Sequence, residues 1–400
     1  MRRTYTFMAA GSVAVVAAVA NGQATDTATT PPVRGSSRPA IEPHRLYNGV
    51  NRPLLVNIAG QHSIGTYELA LMNETGEILA GPVEVRGGRS DLAEIVPEIW
   101  QIRRTCYLQL LDRDREVGSA LVLRPMLSRM VPLTETDQRS DGTPYTRIVD
   151  WADELAPSPA SEEEPATTES PPEGEGGDAT AEPPSEAPPD ETGSGPSVFS
   201  GLCAYVEQEI VLRTTVGDIV LAMCPEEAPN TVWNFLQLCE GGFYNDVTFH
   251  RILQMSRAGL PFVIQAGDPT ATGDGGPGYW LPIEPSRLPH DYGVISMARA
   301  DDPDSAGSQF FICLSREGTA RLDGQYCAFG YAVEGAATID AIADSEMLDA
   351  ELGRAVEPPV ILETVLRPAP PHLVGEQRWM RRISVETAEM EKPRPERVPR

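Results

Sequence analysis

Between about residues 45 and 135, apolar positions come in short runs separated by turn-forming residues. Pro53 to Ile58, Thr66 to Met72, Pro82 to Val85, Cys106 to Leu111 and Gly118 to Leu123 have strand length and composition. Asn73-Glu74-Thr75-Gly76 and Arg86-Gly87-Gly88 punctuate them. Short strands at this spacing predict a small β-sandwich over 45–135, with Leu92 to Trp100 as a short helix or a loop. No catalytic constellation stands out in this part, so a binding or spacer role is expected of it.

The pattern restarts after residue 205. Ile210 to Thr214 and Asp218 to Met223 read as two strands of a hairpin turning at Thr215-Val216-Gly217. A helix comes next. Val232, Phe235, Leu236 and Cys239 share one face at helical spacing, Asn230 or Thr231 is placed to cap the start, and Gly241-Gly242 ends it. Further short strands with glycine-rich connections run on to a second helix near Thr338 to Asp344, where Ile339, Ile342 and Ala343 share a face. Many strands with two helices point to a mainly β fold, a barrel with capping helices, over 205–368.

Composition separates these parts. Residues 136–204 read as a connector, and within it 156–197 alternate Pro, Glu, Ala, Ser, Thr and Gly, with no basic residue between Arg147 and Arg213. Such a stretch cannot bury enough apolar surface to offset its ordering entropy, so the folded parts are expected to be tethered and not packed. Residues 1–24 have the shape of a signal peptide: Arg2-Arg3, an apolar run from Phe7 to Ala20, and small-x-Ala cleavage candidates ending at Ala20 and Ala24. Residues 25–44 are expected to be a disordered leader, and 369–400 a flexible polar tail with arginines around Trp379. Export to the periplasm, cell envelope or medium is therefore expected, with no integral membrane segment after signal cleavage. The net charge of -26 excludes nucleic acid as a partner for the whole molecule. Export permits disulfides, but six cysteines allow many pairings and the sequence does not choose among them. Cys313 lies in the apolar run Phe310 to Leu314, where a buried thiol is as reasonable as a bridge.

The chemistry-bearing segments are Phe249-His250-Arg251, Phe262 to Pro269, Gly273 to Tyr279, Ser296 to Ala300, Gly307 to Ile312, and Leu322-Asp323-Gly324 with Phe329-Gly330. Singly, each has a bland explanation: a solvated arginine, a core strand, a turn. In this order and spacing they resemble the cyclophilin family, from about Ile210 to Arg367. The resemblance implies a closed antiparallel eight-stranded barrel with two helices over its ends, and peptidyl-prolyl cis/trans isomerase activity on proline-containing polypeptides. It implies Arg251 as the donor to the twisting imide, with Gln265 holding the substrate backbone and Arg251. Phe262, Val263, Phe311 and Leu322 would form the proline pocket. Ala298, Arg299 and Gln309 would line the adjoining groove, and Tyr326 stands where the family often has a histidine. No cofactor or metal is implied, and the chain is expected to act as a monomer.

Departures from the family pattern bear on activity. The link before Phe262 is longer than usual, from Gln254 to Pro261, a length that can move Phe262 relative to Arg251. Val263 replaces a customary Met, which enlarges the pocket slightly. Arg321 occupies the position of a Trp in cyclosporin-sensitive members. A folding catalyst for exported proteins is the leading reading; a catalytically weak proline-peptide binding module and an envelope adaptor carrying the barrel are the alternatives. The 273–278 stretch lacks the helix and Lys-Ser/Thr of a phosphate loop, and Asp301, Asp302 and Asp304 lack the spacing of a calcium loop.

Overall fold

The computed structural model describes residues 39–59, 66–128, 130–138, 144–153 and 198–391. The expected signal peptide and residues 156–197 lie outside them. Among the described residues no helix is long and apolar enough to cross a membrane.

The N-terminal part is built from β1 (Ala40–Pro43), β2 (Tyr47–Gly49), β3 (Leu55–Ala59), β4 (Thr66–Met72), β5 (Ile78–Arg86), β6 (Gly88–Asp91), β7 (Cys106–Asp112) and β8 (Arg115–Ser128). A short helix, α1 (Leu92–Ile95), succeeds β6 and runs into a 3-10 turn, so the segment left open as helix or loop is helical. After the two-stranded ribbon of β9 (Met130–Gln138) and β10 (Pro144–Asp153) comes β11 (Val198–Val206). Strands β1, β3 and β6 make one sheet, and β2, β11, β8, β7, β4 and β5 make another. The two share one core, with Ile41, Val56 and Ile58 facing Leu69, Leu108, Leu121 and Leu202. This is the sandwich-like arrangement that alternating apolar strands require to bury one face each.

Three boundaries differ from expectation. Residues 40–43, assigned to a disordered leader, pair with β3 from Ala40↔Ala59 to Pro43↔Val56. Within the connector, β10 pairs with β9, and Val198–Val206 inserts between β2 and β8. Strand β11 escapes a sequence reading because its register lies with strands far back in the chain, which no local pattern records.

The C-terminal part begins after Glu207. It contains β12 (Gln208–Thr214), β13 (Gly217–Met223), α2 (Pro229–Glu240), β14 (Val247–Thr248), β15 (Arg251–Met255), β16 (Pro261–Ala266), β17 (Val294–Met297), β18 (Phe310–Cys313), α3 (Arg316–Thr319), β19 (Ala328–Glu334), α4 (Ala336–Ala343), β20 (Met347–Asp349), β21 (Arg354–Ala355), β22 (Val360–Pro368) and α5 (Val385–Glu391). A nine-stranded antiparallel sheet runs β14-β22-β12-β13-β19-β17-β18-β16-β15. It curls around a single core, because Ile210, Leu221, Ile252, Ile264, Ile295, Ile312, Phe329 and Ile361 from eight of its strands meet in one cluster with Phe235 of α2 and Ile339 of α4. The expected eight strands become nine, and the edge strands β14 and β15 share no ladder; only Phe249 and His250 separate them in the chain.

Helix α2 uses the apolar face read from the sequence: Val232, Phe235, Leu236 and Cys239 are buried. Its cap is different. Neither Asn230 nor Thr231 caps it; the Glu284 carboxylate accepts from the backbone N–H of both, at 3.0 and 2.7 Å. A carboxylate at a helix start satisfies orphan donors and opposes the positive dipole end, as a local cap would.

The tail also departs from expectation. Ala369 accepts from Ser119 Oγ at 2.5 Å, His372 is buried and stacks on Tyr107 at 4.5 Å, and Arg381 pairs with Glu209 at 2.6 Å. Arg378 pairs with the buried Glu207 and donates to Tyr107 Oη at 2.7 Å. Ile383 enters the core enclosed by the nine-stranded sheet. The tail thus lies across both folded parts. They also touch directly, through Tyr107 Oη on Glu226 at 2.6 Å and Arg124 on Asn230 at 3.1 Å, so they are packed and not merely tethered. All six cysteines are buried and unbridged.

Candidate active site

Side chains on a strand alternate between faces, and residues opposite one another in an antiparallel pair share a face. Along β15, β16, β18 and β17 the inward set is Ile252, Ile264, Ile312 and Ile295. The outward set comes from the register: Arg251↔Gln265, Gln265↔Phe311 and Phe311↔Ser296 form one continuous row across these strands. Leu253↔Val263 and Val263↔Cys313 form the next row on the same face. The row order places a guanidinium, an amide and an aromatic ring side by side.

The polar half of the row is a directed chain. Arg251 is exposed, and its Nη1 donates to Gln265 Oε1 at 3.3 Å. Gln265 Nε2 donates to Gln309 Oε1 at 2.9 Å. Gln309 Nε2 donates to the carbonyls of Gly273 and Gly275 at 2.8 and 2.9 Å. Arg251, Gln265, Gln309, Ala298 and Arg299 line a cavity of about 890 Å³ together with the 271–280 loop.

The apolar half is a separate cluster on the outside of the sheet. Val263, Phe311 and Leu322 are buried in it, with Phe262, Ala298 and Tyr326 packed against them. Tyr326 meets Phe311 edge-on at 5.7 Å, and the Arg299 guanidinium lies 4.6 Å from the Tyr326 ring centre. Arg299 also donates to the carbonyls of Gln325, Ala300 and Asp301. Arg321 lies over Phe262 at 4.9 Å, a cation on an aromatic face where a flat indole was the family expectation. All of the site residues read from the sequence therefore fall in these two adjoining regions, and Ala298 belongs to both.

The long link after Gln254 extends the β15–β16 hairpin outward. The ladder continues to Met255↔Pro261, and the turn closes with Ser256 N–H on the Leu260 carbonyl at 2.7 Å. The extra residues lie beyond the ladder that aligns Arg251 with Gln265, so the register is not shifted.

Two supporting groups are not among the site residues read from the sequence. Asp268 is buried and accepts from Thr270 N and Gly273 N at 2.7 and 2.6 Å. Burial pushes its carboxyl up, but hydrogen bonds from Thr270, Gly273 and Gly275 outweigh that and hold it down to about 2. It shapes the loop whose carbonyls fix Gln309. A Cβ on Gly275 would collide with Asp268 Oδ1, so this position admits only glycine without rearrangement.

His290 is the second, buried behind Phe311 with the two rings stacked at 6.0 Å. Its Nδ1 is 3.0 Å from Asp323 and its Nε2 is 2.9 Å from Ser296 Oγ. Burial lowers its pKa, so at neutral pH the ring is neutral; an Nδ1–H donated to Asp323 then requires Nε2 to accept from the Ser296 hydroxyl. Arg316 completes the support, donating to Asp323 Oδ2 at 2.6 Å and to the His290 carbonyl at 2.9 Å. Asp323 belongs to one of the motif segments, but a lone His carries no periodic signal; only the tertiary fold pairs them.

Comparison with known proteins bears on what this arrangement is. The family described as cyclophilin type peptidyl-prolyl cis-trans isomerase/CLD matches residues 209–365. A peptidyl-prolyl cis-trans isomerase of Synechococcus elongatus is 43% identical over 122 residues, covering 30% of this chain and 78% of that protein. One of Helicobacter pylori is 39% identical over 142 residues, covering 34% and 82%. A solved cyclophilin type isomerase of Cryptosporidium parvum, determined in the presence of the dipeptide Ala-Pro, is 30% identical with a TM-score of 0.36, over 40% of this chain and 98% of that one. By the identity and coverage of these relatives, the chain belongs to the cyclophilin-type peptidyl-prolyl cis-trans isomerases, and the isomerase is its C-terminal part.

Proposed function

We infer that this protein is an exported folding catalyst that rotates X-Pro bonds of polypeptides outside the cytoplasm. The imide bond resists rotation because nitrogen shares its lone pair with the carbonyl, a barrier of ~18–20 kcal/mol. As the bond twists, that lone pair localises on nitrogen. A donor aimed there, beside a dry pocket that holds the ring, lowers the barrier, and each ~1.36 kcal/mol removed is a tenfold gain in rate.

The observation that carries this reading is the Arg251, Gln265, Phe311 row, with a charged donor at one end and an aromatic wall at the other. Arg251 donates to the imide nitrogen, its planar fork steadied by Gln265 Oε1. Gln265 is in turn steadied by Gln309. Phe262, Val263, Phe311 and Leu322 receive the proline ring, and Ala298, Arg299, Gln309 and Tyr326 border the chain beside it. The signal-peptide shape of residues 1–24 supports clients outside the cytoplasm.

Exchange NMR on an Ala-Pro peptide with the full-length protein tests the reading. Catalysis gives cis/trans exchange peaks at substoichiometric protein. Peptide shifts without exchange would instead mark a binding module. N-terminal sequencing of envelope material addresses export: a start after Ala20 or Ala24 is expected, and a start at Met1 or Arg2 would remove the claim.

A further inference from the structure

The hairpin of β20 and β21 docks against edge strand β15, where Ile252 N–H donates to the Gly353 carbonyl at 2.7 Å. Gly353 has φ +73°, and a Cβ there would stand 3.1 Å from Arg251 Cγ, so the hairpin sits at the shoulder of the arginine. Met347 and Ala355 pack inward on the barrel core. Leu348 and Leu352 do the opposite: they are 73% and 55% exposed, and both line the cavity that holds Arg251, Gln265 and Gln309. A single exposed leucine means little, but two on one short hairpin facing a binding cavity form an apolar wall that water covers poorly. The turn that carries them is fixed in advance. Asp349 Oδ1 accepts from Glu351 N–H at 3.0 Å and Leu352 N–H at 2.9 Å, so the turn needs little ordering when a ligand arrives.

We propose that Leu348 and Leu352 form a specificity subsite that takes a bulky apolar side chain of the substrate, flanking the target proline and reached across Arg251. The proposal rests on the isomerase reading. Its occupant is the substrate chain itself, because the wall and Arg251 open into one cavity: a polypeptide whose imide lies at Arg251 must continue along it. Exported clients whose proline has a Leu or Phe neighbour are turned over in preference to those with Ser.

The test compares kcat/KM of the full-length protein on an Ala-flanked Ala-Pro peptide and on peptides with Leu, Phe or Ser placed singly at each flanking position. At one position at least, Leu or Phe exceeds Ser by roughly tenfold, the scale of burying one aliphatic side chain in a pocket. The double variant Leu348→Ser with Leu352→Ser brings that ratio near one, and Leu348→Met with Leu352→Met preserves it. The subsite is overturned if the wild type turns over the Ala-flanked peptide but shows no preference at any position, or if the preference survives the serine variant. A wild type inactive on every peptide defeats the isomerase reading itself.

Discussion

The site depends on a few side chains whose surroundings decide their charge. His290 is buried, and its pKa is lowered by burial, against the opposing pull of Asp323. The sign is direct: between the ordinary value of 6.5 and the lower folded value, the unfolded chain binds more protons, so stability is lost as pH falls through that window. His372 in the tail is lowered in the same direction, again by burial. Thermal midpoints of the wild type should drop from pH 7 to pH 5, and His290→Asn should show a smaller drop. Equal drops would mean that His290 does not carry its share. At this scale the sequence is readable where residue identity is itself distinctive, as for Arg251, Gln265 and Phe311. It is silent on the His290–Ser296 contact, because a buried hydroxyl and a lone imidazole look like any others until the fold joins them.

At the scale of elements, apolar spacing announces α2 and α4, since a one-sided face at helical period has few other uses. It does not announce what caps α2, because Glu284 lies 54 residues beyond Asn230. The extended β15–β16 hairpin is the other case. Its ladder keeps Arg251 opposite Gln265 independently of the residues after Met255. Replacing residues 256–260 with a two-residue Asn-Gly turn, which suits a tight antiparallel connection, should therefore leave kcat/KM within about threefold. A loss of tenfold or more in a folded variant would show that the extension reaches the substrate.

The whole molecule is where sequence reading falls shortest. A polar, proline- and arginine-rich stretch after Pro368 has no periodicity, yet it buries Ile383 in the core and neutralises Glu207 and Glu209 through Arg378 and Arg381. These contacts are long-range and mostly ionic, so composition alone reads them as a free end. Ending the chain at Pro368 strips Glu207 of its partner in a buried position. Breaking such a pair typically costs about 3–5 kcal/mol, and a lowered denaturant midpoint of that order is expected. An unchanged midpoint would make the tail an ornament of the surface. The isomerase site is far simpler in its demands, and the proposed chemistry turns on Arg251 acting at the imide nitrogen. The decisive measurement is a protease-coupled isomerisation assay on the intact protein, run on the wild type, Arg251→Ala and Arg251→Lys. Removing one charged donor should lower kcat/KM by on the order of 10²–10³, with lysine unable to restore the planar fork. Because the side chain is exposed, the stability change should stay within about 1 kcal/mol. Near-full activity in Arg251→Ala would mean that Arg251 is not the donor.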